Sequence, residues 1–281
     1  VNAAVSAPEV DFSVVIPTFR RPEALAEAVG SALRQTGVTL ELIIVDDSAE
    51  GSAREVAARC GDSRVRYVQN PAPSGGVPSL VRNLGWPLAR GSFVHFLDDD
   101  DIVADGHYAA VKRAFEQHPD IGLVFGRIDP FGVGPASQLE HEIRYFERAA
   151  RKAQSCGRFG PRWAFAGRML FDLAMLVCSA SVVRRSCLAP LGGFDPGITL
   201  MEDADFHLRV MREFGAHFID RGAIRYRIGS PSLMHSPNPS DAQRRAELDG
   251  RRRMQAKYRE ARGTVEFFAL AAFTRTVLKL L

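Results

Sequence analysis

The stretch SFVHFLDDDDIVADG, residues 92–106, sets four aspartates directly behind an apolar run. Like charges gathered in one place repel, and the repulsion is relieved when something positive sits among them. A divalent cation would serve. Mg²⁺ takes one or two carboxylates plus substrate phosphates, and Mn²⁺ favours similar oxygen ligands. Such a cation would bridge the protein to a diphosphate. A solvated acidic loop or helix start is the plainer alternative. Two further acidic pairs stand out. Asp46-Asp47 closes LELIIVDDS (40–48), and Glu202-Asp203 follows the Gly-rich turn in GGFDPGITLMEDADFHLRV (192–210). A carboxylate facing a cleft can take a proton from a hydroxyl. At a helix start it can equally act as a favourable first-turn charge.

These acids need elements that bring them together. FSVVIPTF (12–19), LELIIVDDS (40–48), VRYVQN (65–70) and SFVHFL read as buried strands. Residues 20–37, 51–62 and 79–90 read as the helices between them. Pro22 suits a first helical turn, Gly37 stops that helix, and Gly85 with Pro87 predicts a kink in the third. NPAPSGGVPS (70–79) is a Pro/Gly loop. Strands alternating with helices predict an α/β fold with a mainly parallel central sheet and right-handed crossovers. Ligands bind such sheets outside the carboxyl ends of the strands. Pro17-Thr18-Phe19-Arg20, Asp46-Asp47-Ser48 and Asp98–Asp101 all fall there, so the site is placed at that edge. The second half is less regular. It reads as a helix over 105–120, a strand beginning at 121, and a helix over 138–158. An apolar stretch over 170–185 is expected to pack on the sheet. A turn and helix over 191–215, a strand-like 217–229, a loop over 230–241 and helix beyond complete the chain.

Composition removes several classes. The chain has 281 residues, 46% of them hydrophobic, enough for one large domain or one with an appendage. A net charge of +3 does not suggest a dedicated nucleic-acid binder. The basic residues are 32 Arg against 4 Lys, which suits phosphate and carboxylate contacts or reflects genome composition. Cys60, Cys156, Cys178 and Cys187 form no CxxC pair, so neither a zinc site nor a disulfide framework is expected, and free thiols in a reducing cytoplasm are. Residues 1–11 read as a loose leader without signal-peptide character. No run of about 18 apolar residues predicts a transmembrane helix. The first strand-to-helix turn has no GxGxxG, and no GxxxxGK[ST] occurs, so NAD and P-loop readings fail.

Four segments in order, SVVIPTFRRPEAL, ELIIVDDS, VRNLGWPLARGSFVHFLDDDD and GGFDPGITLMEDADFHLRV, resemble the family 2 glycosyltransferases with the GT-A fold. The resemblance spans about residues 12–228. It implies a GT-A domain over 12–229, with a nucleotide-binding half (12–104) and an acceptor-binding half (105–229), followed by a helical C-terminal extension over 230–281. It implies a nucleotide-sugar donor, a UDP-sugar foremost, and Mn²⁺ or Mg²⁺ held by a DxD motif. Pro17, Thr18, Phe19 and Arg20 match the loop lining the nucleotide. Asp46 or Asp47 matches the acid that reads the base or ribose, and Arg82 and Asn83 the segment near the diphosphate. Asp98 and Asp100 match the outer DxD residues, with Asp99 beside the donor, though the run of four leaves the register open by one. Glu202-Asp203 matches the ED motif, with Asp203 as the base of an inverting transfer.

Gly192 and Gly193 are read as making room for the acceptor. Trp163 either stacks on a sugar or sits in the core. His235 is a candidate third metal ligand, although a lone loop histidine is the plainer reading. The QxxRW motif of processive members is absent, so one residue is added per event. The acceptor is a glycan, a lipid-linked glycan or a small molecule. The basic helix over 144–158 either meets an anionic acceptor or is a solvated face. FFALAAFTRTVLKLL at the C-terminus lies on a membrane, pairs with a subunit or caps the core. Work in the cytoplasm, including the inner face of its membrane, is expected. The rivals are a non-catalytic nucleotide- or glycan-binding module and a sugar-1-phosphate nucleotidyltransferase, whose Gly- and Arg-rich loop after strand one is missing.

Overall fold

The structure, a computed structural model, describes residues 10–172, 175–229 and 240–280. The first half alternates as expected: β1 (Phe12–Thr18), α1 (Pro22–Leu33), β2 (Leu40–Asp46), α2 (Arg54–Cys60), β3 (Val65–Gln69), α3 (Pro78–Gly85) and β4 (Phe93–Phe96). The second half runs β5 (Ile102–Val103), α4 (His107–Gln117), β6 (Leu123–Gly132), α5 (Ala136–Cys156), α6 (Trp163–Phe171), β7 (Ser181–Arg184), α7 (Leu188–Leu191), α8 (Glu202–Phe214) and β8 (Ala216–Ile228). Helices α9 (Asp241–Arg262) and α10 (Thr264–Thr276) follow.

One mixed eight-stranded sheet has the order β3-β2-β1-β4-β7-β6-β8-β5. The first four strands are parallel, and β7 enters antiparallel to both β4 and β6. The apolar stretch expected to pack on the sheet therefore supplies one of its strands. Helix α6, just before it, was not foreseen. Helices cover both faces of the parallel half, and this is why its strands are continuous apolar runs. Val14 and Ile16 join one core cluster while Val15 joins the other, and Leu42 and Ile44 alternate with Ile43 and Val45 in the same way.

Two close packings fix the helices in place. A Cβ on Gly85 would stand 2.4 Å from Val15 Cγ1, so glycine lets α3 lie directly on β1. The kink expected there appears as a change to a 3₁₀ turn over Trp86–Leu88. Helices α9 and α10 bring Met254, Tyr258 and Leu270 into the cluster that holds Phe165 and Phe206, so they pack on α6 and α8. Among the described residues no helix is long and apolar enough to cross a membrane.

Candidate active site

The register of the parallel strands sets the site. Phe12 pairs with Phe93 and Val15 with Phe96, so Thr18 at the end of β1 comes level with the acidic run. Its hydroxyl donates to Asp99 Oδ2 at 2.7 Å. Arg21, at the start of α1, donates to Asp100 at 2.8 Å and to Asp99 at 3.3 Å. The Asp98 N–H donates to Ser179 Oγ at 3.0 Å, and the Asp101 carboxylate accepts the Arg227 N–H at 3.1 Å. Burial pushes Asp99 up to about 6, with Asp100 adding to the rise against Thr18 and Arg21. Burial and then Asp98 raise Asp100, and the same causes raise Asp101 further. Asp101 is almost wholly buried and lies outside the cleft lining. The loop thus holds more negative charge than its arginines relieve.

Ser179 is fully buried, and its carbonyl is 2.7 Å from His95 Nε2. A carbonyl can only accept, so Nε2 is assigned the proton, and Nδ1 accepts from the Tyr108 hydroxyl at 2.8 Å. The chain Tyr108–His95–Ser179 therefore anchors the first aspartate from beneath. Ser179→Ala removes an anchoring bond of about 1 kcal/mol. The chain is expected to lose about that much stability, read as a lower urea midpoint.

The opposite wall is the start of α8. Met201, buried at the N-cap, has φ +76, a left-handed backbone that is uncommon for a bulky side chain. It turns Glu202 and Asp203 toward the acidic loop. Arg82 joins the two walls: Nη2 donates to Asp98 at 2.7 Å and Nη1 to Glu202 at 2.8 Å. Asp203 is half-buried, and its carboxylate accepts the Ala204 N–H at 2.7 Å. Burial, then the neighbouring Glu202, pushes it up to about 7, against the pull of Arg82. Between the walls lies a cleft of about 390 Å³. Its lining includes Pro17, Thr18, Phe19 and Gly76, and Tyr145, Phe146, Met169 and Tyr226. The volume is that of a small-molecule site.

Several sequence-derived candidates stand elsewhere. Asp46 and Asp47 are fully buried and do not line the cleft. Asp46 accepts N–H groups from Ser48 and Ala53 at 2.9 and 2.8 Å, fixing the turn from β2 into α2. Asp47 accepts from Asn70, Ser74 and Gly76, folding the Pro/Gly loop. Burial would raise Asp47, but those donors outweigh it and hold it below the usual range. Its effect reaches the cleft through Gly76, where a Cβ would lie 3.1 Å from the Phe19 ring. Arg20 turns to the surface and pairs with Glu50 at 2.6 Å, leaving Arg21 to meet the aspartates.

Asn83 points away from the acids. It donates to the Phe194 carbonyl at 2.7 Å and accepts the Phe194 N–H at 2.9 Å. A Cβ on Gly193 would stand 2.4 Å from Asn83 Oδ1, so this glycine makes room for Asn83, and it lies outside the cleft lining. Gly192, at φ +70, ends α7. Trp163 lies outside the cleft, packed edge-on to Phe273 at 6.3 Å. His235 lies outside the described residues. Arg21, Ser179, Tyr226 and Arg227 are the site residues that sequence reasoning missed.

Asp98 and Asp100, on the acidic wall of the cleft, are the carboxylates that could share a cation. Among the described residues no group of three or more His, Cys, Asp or Glu could hold one alone. The residues present still fit Mg²⁺ or Mn²⁺, because such ions are held by one or two carboxylates and substrate phosphates. Asp99 and Asp100, both in the cleft lining and both raised by burial and by neighbouring aspartates, are the acids a cation would relieve.

A family model described as "Glycosyl transferase family 2" matches residues 13–173, more than half of the chain. The chain belongs to glycosyl transferase family 2. It is 26% identical over 234 residues to the uncharacterized glycosyltransferase EpsJ of Bacillus subtilis, covering 80% of this chain and 63% of that protein. It is 36% identical over 103 residues to a GalNAc(5)-diNAcBac-PP-undecaprenol beta-1,3-glucosyltransferase of Campylobacter jejuni, covering 36% of this chain and 33% of that one. The chain thus spans less than two thirds of these relatives. Its fold is similar to S. aureus TarS 1-349 solved with UDP-GlcNAc, with TM-score 0.57 at 14% identity, covering 94% and 91% of the two chains. The same TarS fragment was solved with UDP, with TM-score 0.57 at 17% identity, covering 89% and 73%. The fold is the GT-A type.

Proposed function

We propose that this chain is a non-processive, inverting glycosyltransferase. It moves a sugar from a nucleotide-sugar, a UDP-sugar foremost, to a hydroxyl of a glycan, a lipid-linked glycan or a small molecule. The observation that carries this reading is Arg82, whose fork holds Asp98 and Glu202 across one cleft, 120 residues apart in sequence for the longer of its two bonds. A donor-facing acidic loop and a base-bearing helix are thereby fixed face to face. The UDP and UDP-GlcNAc complexes of TarS support a uridine donor. The C. jejuni relative's name supports a lipid-linked acceptor. The four thiols are free, which supports work in the cytoplasm.

Asp98 and Asp100 would hold Mg²⁺ or Mn²⁺, which when bound neutralises charge on a diphosphate leaving group. The chain's own groups do the rest. Phe19, over Gly76, offers a face for the base, and Arg21 keeps Asp99 and Asp100 in place. Asp203 takes the proton of the acceptor hydroxyl as that oxygen bonds to the anomeric carbon. The bond from that carbon to the diphosphate oxygen breaks on the opposite face. A base with a pKa near 7 is half-ionised at neutral pH and still strong enough to accept the proton.

A thermal-shift screen with UDP, GDP, dTDP and CDP, each with Mn²⁺, Mg²⁺ or EDTA, tests the reading. A ligand that binds only the native state raises Tm, by about 2.7 kcal/mol of stability at a hundredfold excess over Kd. Stabilisation by one nucleoside diphosphate, lost in EDTA, is the expected result. No metal-linked shift with any nucleotide would overturn the donor assignment.

A further inference from the structure

The C-terminal helix buries one side and leaves the other uncovered. Leu270, Ala271 and Thr274 of α10 are buried, with Leu278 just beyond. The outward stripe is Val265, Phe268, Ala272 and Arg275, continued by Lys279 in the 3₁₀ turn after the helix. Phe268 is 60% exposed and Val265 86%. Glu266 is the one acid in residues 264–281, and it points inward. Its carboxylate accepts from Arg212 at 2.9 Å and from the Tyr258 hydroxyl at 2.7 Å.

A second exposed aromatic segment flanks the helix, on the side of Phe273. Phe159 and Trp163 both pack edge-on to Phe273 of α10, at 5.7 and 6.3 Å, and both remain more than a third exposed. Arg158 and Arg162 beside them are exposed, and residues 157–171 contain no acid. Exposed aromatics set among arginine and lysine, with the acid turned inside, match the charge and polarity of an anionic bilayer surface.

We propose that the outer face of α10, with the exposed start of α6, docks on an anionic lipid bilayer. Rings and aliphatic side chains enter the headgroup boundary, and Arg158, Arg162, Arg275 and Lys279 meet lipid phosphates. Charge complementarity selects lipid over another protein, since a protein partner would have to bring acids to every side of an apolar centre. Helix α6 runs from this face to the cleft, with Trp163 at one end and Met169 in the cleft wall. That is about 9 Å along the helix. A docked chain would hold its cleft close above the membrane. The inference stands on the uncovered face and not on the catalytic reading.

Vesicle flotation tests it with the full chain. Vesicles of phosphatidylcholine alone are compared with vesicles that also contain phosphatidylglycerol, at low and high salt. The parent is expected to float with the anionic vesicles only, and less as salt rises. Arg275→Glu with Lys279→Glu should lower the partition about thirtyfold, and Phe268→Ser about tenfold. All three side chains face solvent, so Tm should stay at the parental value. Equal binding to both vesicle types, or no binding by the parent, overturns the proposal. So does a parental dimer in light scattering that Phe268→Ser dissolves, because the face would then belong to a second copy. Should a variant lose its fold, the parent's lipid and salt dependence alone decides.

Discussion

Asp203→Asn is expected to lower sugar transfer about 10²- to 10⁴-fold, the range that a positioned general base supplies. The amide keeps the shape of the carboxylate and its oxygen can still accept the Ala204 N–H, but it cannot take the acceptor's proton. Nucleotide binding should persist, because the acidic loop and Arg82 are untouched. Stability separates loss of chemistry from loss of fold, and its sign follows from the pKa. The folded carboxyl titrates near 7 and an unfolded aspartate near 3.8. Between those values the folded state binds the extra proton, so stability falls as pH rises and the penalty is complete above about 7. Asparagine removes the penalty. The variant should melt above the parent at pH 8 and converge with it toward pH 4. Transfer by the parent should show an acid limb near pH 7, measured as kcat/KM across pH. A variant with near-parental transfer would end Asp203's assignment as the base.

Ser179→Ala and the nucleotide–metal screen probe the other wall, and comparing the two walls shows what sequence could reveal. The acids were legible because each stands where a buried strand or a Gly-rich turn ends, and strand ends are readable from apolar runs. The parallel first half followed from the same alternation. Strand β7 was hidden because it is four residues long and lies inside an apolar stretch whose period cannot distinguish strand from buried helix. Helix α6 was hidden by its sequence, WAFAGRMLF, of which seven of nine residues are buried. A helix covered on nearly every side shows little amphipathic stripe. The arginines show a different limit. In TFRRPEAL the choice between Arg20 and Arg21 turns on one backbone angle, φ +58 at Arg20, which sends that side chain to Glu50 and leaves Arg21 facing the aspartates. Asp46 and Asp47 stand at the expected edge, yet the turn and loop beside them take up their oxygens. Local sequence fixes where a side chain begins, while the partner it finds depends on residues tens of positions away.

Arg82 is where those distant partners meet, so its removal should cost more than any other single change outside the proposed base. It is almost fully buried, and desolvation alone would weaken its charge; Asp98 and Glu202 more than offset this, leaving it firmly protonated. Arg82→Met keeps the length and removes the fork. It leaves Glu202 buried without its cation and frees the acidic loop from α8. Breaking such a pair from one side costs about 3 kcal/mol or more, visible as a lower midpoint in urea. A second consequence distinguishes positioning from bulk stability. The Arg82 cation holds down the pKa of Asp203. Without it the carboxyl keeps its proton to higher pH, so the acid limb of kcat/KM should move up in pH while the transfer that remains at alkaline pH is limited by alignment. Arg82→Lys should preserve more stability than Met, because a charge remains, yet one ammonium cannot reproduce two directed bonds at 2.7 and 2.8 Å to carboxylates on different walls. Its acid limb should therefore stay near the parent's while transfer still falls. If Arg82→Met instead keeps both the urea midpoint and the acid limb of the parent, the two walls are held together by something other than this arginine.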